Sequence, residues 1–396
     1  MRKKLLWFES FLITLLIFLT LWLLYLLVNV SFKPLNYIAK TIESINLNDL
    51  YFSSVANHKA DTSIVIINIE NLDRLELSDL INHIATAPPA VLGIDIFFSE
   101  ALHTPYDSLL QETLLRHRDL VVLSLPFDQE GKPDPRYWHL PEFRYGHAGL
   151  LTNAAGTQTV RDYQPVIPAT PEPIHSFAVE MAASLPADGT FKPFRKNHPT
   201  EMINYTGDEQ AFRILPGSSV LNEPEALLPL VKGKIVLLGF CGGLMQNSED
   251  QSDRYFTPVG FGMEVNRRPD MYGIVVHANI LSMIMQQAWI SRVPDWLVYL
   301  VSFILMMLFV CLMIHLSLRW PLAFDITSLA AQLVAFVVVL WASFMLFSNF
   351  AVAFTVKYLL TCVVLTGGVL NLYIFVMNRW KKFIPYRSLF VKPDES

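Results

Sequence analysis

Cysteine is scarce in this chain of 396 residues, which contains only Cys241, Cys311 and Cys362. Cys311 and Cys362 lie within long apolar runs, so Cys241 alone belongs to the polar part of the sequence. A disulfide framework or a cysteine-based zinc site within that part is therefore excluded. A domain built there must be held together by its own hydrophobic core.

Charge is also scarce, at 16% of residues against 53% hydrophobic residues, whereas ordinary soluble domains carry about 25% charged residues. Most of the charge lies in residues 31–295, which hold 20 of the 30 Lys and Arg and 31 of the 35 Asp and Glu, for a net charge of −11. A nucleic-acid-binding domain needs a basic surface to neutralise phosphates. The acidic segment therefore excludes nucleic acid as an expected partner.

Several catalytic and nucleotide-binding motifs are missing. The sequence has no GxGxxG or GKS/GKT phosphate loop, no GxSxG nucleophile turn and no HExxH zinc motif, and its histidines are scattered. The glycines of residues 239–243 (GFCGG) follow an apolar run, and a tight turn explains them better than a phosphate loop does. We therefore predict no catalytic residue, no metal site and no cofactor.

Long apolar runs are present, and each is long enough to cross a hydrocarbon core of about 30 Å as a helix. A secretory signal peptide is the alternative for the first run, but that run is long and no small-residue cleavage site follows it. The predicted spans are residues 11–30, 296–318, 322–347 and 350–377. They separate an N-terminal segment (1–10), a large domain (31–295) and a C-terminal tail (378–396).

The basic residues predict how these spans are oriented. Arg2, Lys3 and Lys4 precede the first span, Arg319 separates the second from the third, and the tail is basic. Four spans place all three clusters on one side, which the positive-inside rule assigns to the cytoplasm. We expect an inner-membrane protein of a bacterium, with both termini cytoplasmic and residues 31–295 outside the cytoplasm. The basic tail is either a docking or lipid-contact segment or a simple positive-inside anchor.

The large domain alternates strand-like and helix-like segments. Continuous apolar strands separated by amphipathic helices predict an α/β fold with a mostly parallel or mixed sheet. The fold class is thus a four-span α-helical membrane protein with a large extracytoplasmic α/β domain. The predicted strands are Ser63–Ile69, Ala90–Phe98, Leu120–Leu125, 158–166, 201–205 and Lys234–Gly239, and the predicted helices are 34–45, Asp73–Thr86, Tyr106–His117, 176–185 and 275–287.

Two acidic residues are candidate ligand contacts because of their position after a strand. Asp95 and Glu100 lie at the end of the second predicted strand, and open α/β sheets bind ligands outside the carboxyl ends of their strands. The alternative is that Asp95 accepts hydrogen bonds from loop amides while Glu100 begins an exposed turn.

Five further candidates come from loops and one helix. Arg161 with Asp162, and Asp253 with Arg254, place opposite charges side by side, either for contact with a ligand or for ion pairs within the protein. His277 precedes a long apolar stretch and is either a pH-responsive group or a histidine hydrogen-bonded at a helix start.

The order of several segments resembles that of a known family, the type 2 CHASE domain (cyclase/histidine-kinase-associated sensory extracellular domain). The resemblance covers roughly residues 35 to 290, and DRYFTPVG and VHANILSMIM are its strongest parts. The segments are SIVIINIE (63–70), GIDIFFSE (93–100), TVRDYQPVI (159–167), INYTG (203–207), KGKIVLLG (232–239), DRYFTPVG (253–260) and IVVHANILSMIM (274–285).

The resemblance implies an extracytoplasmic sensory module whose usual output is a cytoplasmic cyclase or kinase domain. Residues 378–396 are too few for such a domain, so we expect no enzymatic activity and expect a separate signalling or envelope protein as partner. The expected ligand is a small molecule outside the cytoplasm, and a homodimer is a further expectation. A structural scaffold of an envelope assembly, without a ligand, is the alternative; a membrane-bound enzyme is the least favoured hypothesis.

Overall fold

The computed structural model of the chain describes residues 2–29, 47–55, 60–98, 105–128, 130–138, 142–152, 159–169, 172–186, 191–242, 253–261, 268–379 and 388–390. The chain divides into two compact units. One unit comprises residues 44–290, and the other combines residues 1–43 with residues 291–396.

Helices and strands are numbered along the chain. The helices are α1 (Arg2–Asn29), α2 (Leu47–Val55), α3 (Arg74–Thr86), α4 (Pro105–Arg116), α5 (Phe177–Ala183), α6 (Gly217–Asn222), α7 (Pro224–Leu227), α8 (Gly273–Met285), α9 (Asp295–Arg319), α10 (Phe324–Phe350) and α11 (Lys357–Arg379). The strands are β1 (Asp61–Asn68), β2 (Val91–Asp95), β3 (Val121–Leu125), β4 (Arg144–His147), β5 (Leu150–Thr152), β6 (Val160–Tyr163), β7 (Val166–Ile167), β8 (Ile174–His175), β9 (Glu201–Met202), β10 (Phe212–Pro216), β11 (Ile235–Gly239), β12 (Arg254–Tyr255), β13 (Met271–Tyr272), β14 (Ser291–Arg292) and β15 (Val352–Ala353).

A six-stranded sheet organises the unit of residues 44–290. Its strand order is β10-β1-β11-β2-β3-β4, and every neighbouring pair is parallel. The prediction of an α/β fold on a mostly parallel sheet is therefore confirmed for this sheet. Smaller antiparallel pairings join β5-β6-β9, β7-β8 and β12-β13.

Helices cover both faces of this sheet. On β2, Leu92 and Ile94 join the core packed under α3 and α4. Gly93 lies between them and faces the opposite way, where a Cβ would meet the Met181 sulfur of α5 at 2.3 Å. The absence of a side chain at Gly93 thus lets α5 lie directly on the second face of the sheet.

Helix α3 shows how local sequence sets these elements. Asp73 caps its first turn, accepting hydrogen bonds from the amides of Leu75 and Glu76, while the Glu76 carboxylate accepts from the Asp73 amide. This capping box satisfies amides that otherwise lack partners at a helix start. Four apolar residues spaced for one helical face then enter the core: Leu77, Leu80, Ile81 and Ile84.

Two edge strands of the sheet, β4 and β10, differ from the expectation. The sequence predicted the four inner strands, but it predicted no strand at the positions of β4 and β10. Both edge strands carry polar or turn-forming residues, such as Arg144 and Pro216, and are only partly buried. The helix predicted at 34–45 lies outside the described residues.

The second unit contains four helices, α1, α9, α10 and α11, that are long and apolar enough to cross a membrane by length and composition. Its buried core joins α1, α9 and α11 through residues that include Ile13, Ile17, Met306, Val310 and Cys362. The fourth helix begins at Lys357, later than the expected Phe350, because α10 continues to Phe350 and β15 then pairs with β14.

Candidate functional site

The candidate site lies at the carboxyl end of the parallel sheet, where β2 ends at Asp95 and β11 ends at Gly239. These two residues are opposite each other in the sheet register. A Cβ on Gly239 would lie 2.7 Å from Cδ1 of Ile274 and 3.2 Å from Cβ of Asp95. Glycine therefore allows the first turn of α8 to lie close to Asp95.

A second aspartate reaches the same place from the loop before β12. The backbone carbonyl of Asp253 accepts a hydrogen bond from the Gly273 amide at 3.0 Å, which ties the loop to the start of α8. Asp253 has a φ of 59°, in the left-handed region that aspartate tolerates better than most residues. Its carboxylate lies against Gly273, where a Cβ would be 3.1 Å from Oδ1 of Asp253.

The two carboxylates form an uncompensated pair. Desolvation, with like-charge repulsion from Asp95, raises the pKa of Asp253 towards about 7 from its ordinary value of 3.8. Asp253 is also exposed to solvent. Within the described part of the chain, neither carboxylate accepts a hydrogen bond or forms an ion pair. Among the described residues, no loop amide donates a hydrogen bond to the Asp95 carboxylate, as one of the two alternatives for Asp95 would require.

His277 and Tyr255 flank this carboxylate pair. His277 is only 4% exposed, and among the described residues its Nδ1 has no hydrogen-bond partner. Burial lowers the pKa of His277 more than the nearby Asp95 carboxylate raises it, so the imidazole is neutral near pH 7. Burial, with Asp253 and Asp95, raises the pKa of Tyr255, which keeps its phenol protonated.

The environment of His277 bears on both roles considered for it, a pH-responsive group and a histidine hydrogen-bonded at a helix start. His277 lies within α8, four residues after the first helical residue, rather than at the helix start. Its ring packs edge-on against Phe177 of α5 at 5.4 Å between ring centroids. Desolvation disfavours its protonation in the physiological range, which weakens its role as the pH-responsive group.

Arg254 belongs to the opposite side of the β12–β13 hairpin. Its guanidinium lies over the ring of Tyr272, its cross-strand partner, at 4.2 Å from the centroid. Its charge also opposes the rise in the pKa values of the half-buried Glu209 and Cys241, which desolvation mainly causes. Because successive strand residues face opposite ways, Arg254 does not neutralise the pair near Tyr255.

The segment after β11, where the sequence predicts a tight turn, is described as far as Gly242 and is bonded to Asn68 of β1. Oδ1 of Asn68 accepts a hydrogen bond from the Cys241 amide at 2.8 Å, and Nδ2 of Asn68 donates to the Gly242 carbonyl at 2.7 Å. Gly242 has a φ of 97°, a conformation that glycine adopts without strain. The Cys241 amide, which a phosphate loop would direct at its ligand, is thus already bonded within the protein.

Arg161 and Asp162 lie away from this site, on β6. Arg161 forms a bidentate ion pair with Asp49 of α2, with Nε 3.0 Å from Oδ1 and Nη2 2.6 Å from Oδ2. The pair is buried, with 7% and 1% of the two side chains exposed. This is an internal ion pair, one of the two roles expected for Arg161. Asp162 lies opposite Met202 of β9.

The structure thus brings together three candidates from the sequence, Asp95, Asp253 and His277, and adds Tyr255, which the sequence did not single out. Glu100 lies outside the described residues. The position of Tyr255 two residues after Asp253 is the signal that could have identified it. Among the described residues, no group of three or more His, Cys, Asp or Glu could hold a metal ion.

Comparison with protein families gives the identity of the domain. The model of the CHASE2 domain matches residues 14–316. The chain belongs to the CHASE2 domain family. The resemblance stated on sequence segments is therefore confirmed, and CHASE2 is a family of sensory extracellular domains. Searches among curated proteins and among solved structures found no similar chain.

Proposed function

We propose that this CHASE2 protein is a sensor in a bacterial inner membrane, and that its α/β domain detects a small molecule outside the cytoplasm. The observation that carries the proposal is the carboxylate pair of Asp95 and Asp253, which lies where open α/β sheets bind ligands. CHASE2 domains are sensory, and this edge of the sheet holds ionisable groups without internal partners. The chain itself has no catalytic role in this proposal.

The proposed arrangement has both termini in the cytoplasm and residues 31–295 outside it. Support comes from four helices of membrane-spanning length and from basic clusters that fall on one side of them. An even number of spans returns the chain to the side from which it started. The domain then receives its ligand on one side, while a separate partner reads the response on the other.

The contacts around α8 offer a route from the site to the end of the domain. α8 begins beside Asp253, and further along Oδ1 of Asn279 accepts from the Thr206 amide at 2.7 Å while Nδ2 donates to the Gly207 carbonyl at 3.0 Å. These bonds tie α8 to the segment that follows β9. A displacement of the first turn of α8 by ligand would therefore reach β9.

Both ends of the domain are attached to the small sheet β5-β6-β9. Arg161 of β6 holds Asp49, on the first described helix after the first span. Arg195 pairs with Glu201 of β9 and also donates to the carbonyl of Ile290, the last residue of the unit, at 2.9 Å. We propose that this sheet transmits the response to the two connections that lead to the spans.

The experiment that tests the proposal has two parts. Reporters fused at residue 200 and at residue 396 should show opposite sidedness, and the same sidedness would overturn the arrangement. The full-length protein is then purified in mild detergent from native membranes, and stoichiometric partners are identified. A kinase, a cyclase or a transcription regulator supports a sensor subunit. Envelope-assembly proteins alone, or no partner, would contradict it and favour a scaffold.

A further inference from the structure

The site at Asp95 and Asp253 has hydrogen-bond acceptors that no described part of the protein satisfies. Desolvation first, and then repulsion from Asp95, raise the pKa of Asp253. Nδ1 of the neutral His277, buried to more than nine-tenths, also lacks a partner among the described residues. Buried polar groups are usually paired, so the unpaired Nδ1 of His277 beside two carboxylates needs an explanation.

Groups that could compensate these charges point elsewhere. Arg254 is next to Asp253 in sequence, but its guanidinium lies over Tyr272 on the other side of the hairpin. The first turn of α8 carries partial positive charge, yet Gly273 uses its amide for the backbone carbonyl of Asp253 rather than for a carboxylate. The site is thus negative and complementary to a positive ligand.

The groups at the site distinguish between two kinds of positive ligand. A metal ion draws its ligands to within about 2–2.6 Å of one point. The described residues contain no group of three His, Cys, Asp or Glu close enough for that. Carboxylate and imidazole acceptors that form no such group fit a ligand with several N–H donors. The ring of Tyr255, beside Gly273, supplies an aromatic surface that attracts such a cation.

We propose that Asp95, Asp253, Tyr255 and His277 bind a small organic ammonium compound at the carboxyl edge of the sheet. In this arrangement the carboxylates accept N–H bonds from the ammonium group, Nδ1 of His277 accepts a further bond, and Tyr255 packs against the cation. The inference rests on the proposed sensor function, because it names the class of ligand that the same site detects.

The test uses the full-length protein in lipid nanodiscs at about pH 8, where Asp253 is ionised. Ethanolamine, putrescine and ethylamine, which all carry N–H donors, are titrated by calorimetry, and thermal unfolding is followed in parallel. Ethylene glycol and butane-1,4-diol are matched neutral probes, and Mg²⁺ and Ca²⁺ test for a metal site. We expect at least one ammonium compound to bind and to raise the midpoint of unfolding, because a ligand of the native state stabilises it.

Variants then locate the binding. Asp95→Asn and Asp253→Asn should each weaken binding of the ammonium compound by roughly tenfold or more, since each removes a charged acceptor. Asp119→Asn is the matched control, because the Asp119 side chain is fully exposed. This variant should bind the ammonium compound as tightly as the wild type does. Tyr255→Leu removes the aromatic ring that packs against the cation and should bind the ammonium compound more weakly.

The outcomes separate this inference from the proposed function. Failure of all three ammonium compounds to bind, equal binding of the neutral probes, stabilisation by the metal ions alone, or wild-type affinity in both Asn variants would each overturn the ligand class. The sidedness of the domain and the identity of the partner do not depend on these titrations. The sensor proposal can therefore survive a wrong ligand class, and it can fail while ammonium binding stands.

Discussion

Asp253 makes the stability of the folded domain depend on pH. Its folded pKa is raised from 3.8 towards about 7, so the folded state holds a proton more tightly than the unfolded state does. Ionisation of Asp253 therefore destabilises the fold as pH rises between these values, while Asp95, Tyr255 and Cys241 are the titratable groups that interact with it. Asp253→Asn should remove this component.

The measurement is the midpoint of thermal unfolding of the full-length protein in detergent, from about pH 4 to about pH 8. The difference between Asp253→Asn and the wild type should grow in favour of the variant as pH rises. Ammonium binding should strengthen over the same range, because the cation favours the ionised carboxylate. A constant difference across this range would contradict the assignment of the raised pKa.

Arg161 and Asp49 give a prediction about stability. Removing one partner of a buried ion pair leaves an uncompensated charge, so Arg161→Ala or Asp49→Ala should cost about 3–5 kcal/mol of unfolding free energy. The double variant Asp49→Leu/Arg161→Met should cost less than either, because no charge remains buried. Denaturant unfolding of the full-length protein measures these values.

Arg116 provides the control for the buried pair. It forms an ion pair with Glu112 on the surface of α4, with both side chains more than half exposed. Arg116→Ala should cost no more than about 1 kcal/mol, since solvent screens such pairs. Equal losses in Arg161→Ala and Arg116→Ala would show that burial does not govern the Arg161 pair.

Among the structural elements, β4 and α5 are in direct backbone contact at Gly146. A Cβ there would lie 2.3 Å from Cα and 2.7 Å from the amide nitrogen of Phe177, and backbone atoms cannot simply rotate away. Gly146→Ala should therefore destabilise the protein by about 1–3 kcal/mol. Gly149→Ala is the control, because its Cβ would lie 3.5 Å from Nδ1 of His147, an ordinary contact. Unfolding midpoints that are equal in both variants would contradict this packing.

The elements also show what the sequence could predict. The inner strands β1, β2, β3 and β11 are apolar runs because both of their faces are buried, and such runs are visible without a structure. The edge strands β4 and β10 mix polar and apolar residues, since solvent reaches one side of them. Their strand geometry depends on pairing with β3 and β1, which no local pattern records.

The candidate site shows the same division. Asp95 could be found because it ends an apolar strand, and strand ends converge at one edge of a parallel sheet. The pairing of Arg161 with Asp49 could not be found, because the two residues are 112 positions apart in the chain. The side of the hairpin on which Arg254 lies likewise depends on the register of β12 with β13.

At the scale of the whole molecule, the unit of residues 1–43 and 291–396 ties the two ends of the chain together. Glu9 belongs to α1 and is fully buried, although the sequence assigned residues 1–10 to a cytoplasmic segment. Its Oε1 accepts a hydrogen bond from the Leu389 amide at 3.1 Å. Phe390 packs against Tyr373 at 6.1 Å between ring centroids. The described part of the tail, residues 388–390, is thus docked on the helices.

This docking predicts how the tail responds to loss of Glu9. If the basic residues of the tail only set its sidedness, the position of the tail would not depend on a single hydrogen-bond acceptor. A tail held by a bond from the Leu389 amide to the buried Glu9 carboxylate depends on Glu9. Glu9→Ala should therefore expose the tail and speed tryptic cleavage at Arg387 and Lys392 by roughly tenfold, as expected for the loss of one charged hydrogen bond.

Mass spectrometry of the released C-terminal fragment from the full-length protein in nanodiscs measures the rate. Glu112→Gln, which changes an exposed glutamate, should leave the rate unchanged. Cleavage of Glu9→Ala at the wild-type rate would show that the bond between Glu9 and Leu389 does not hold the tail.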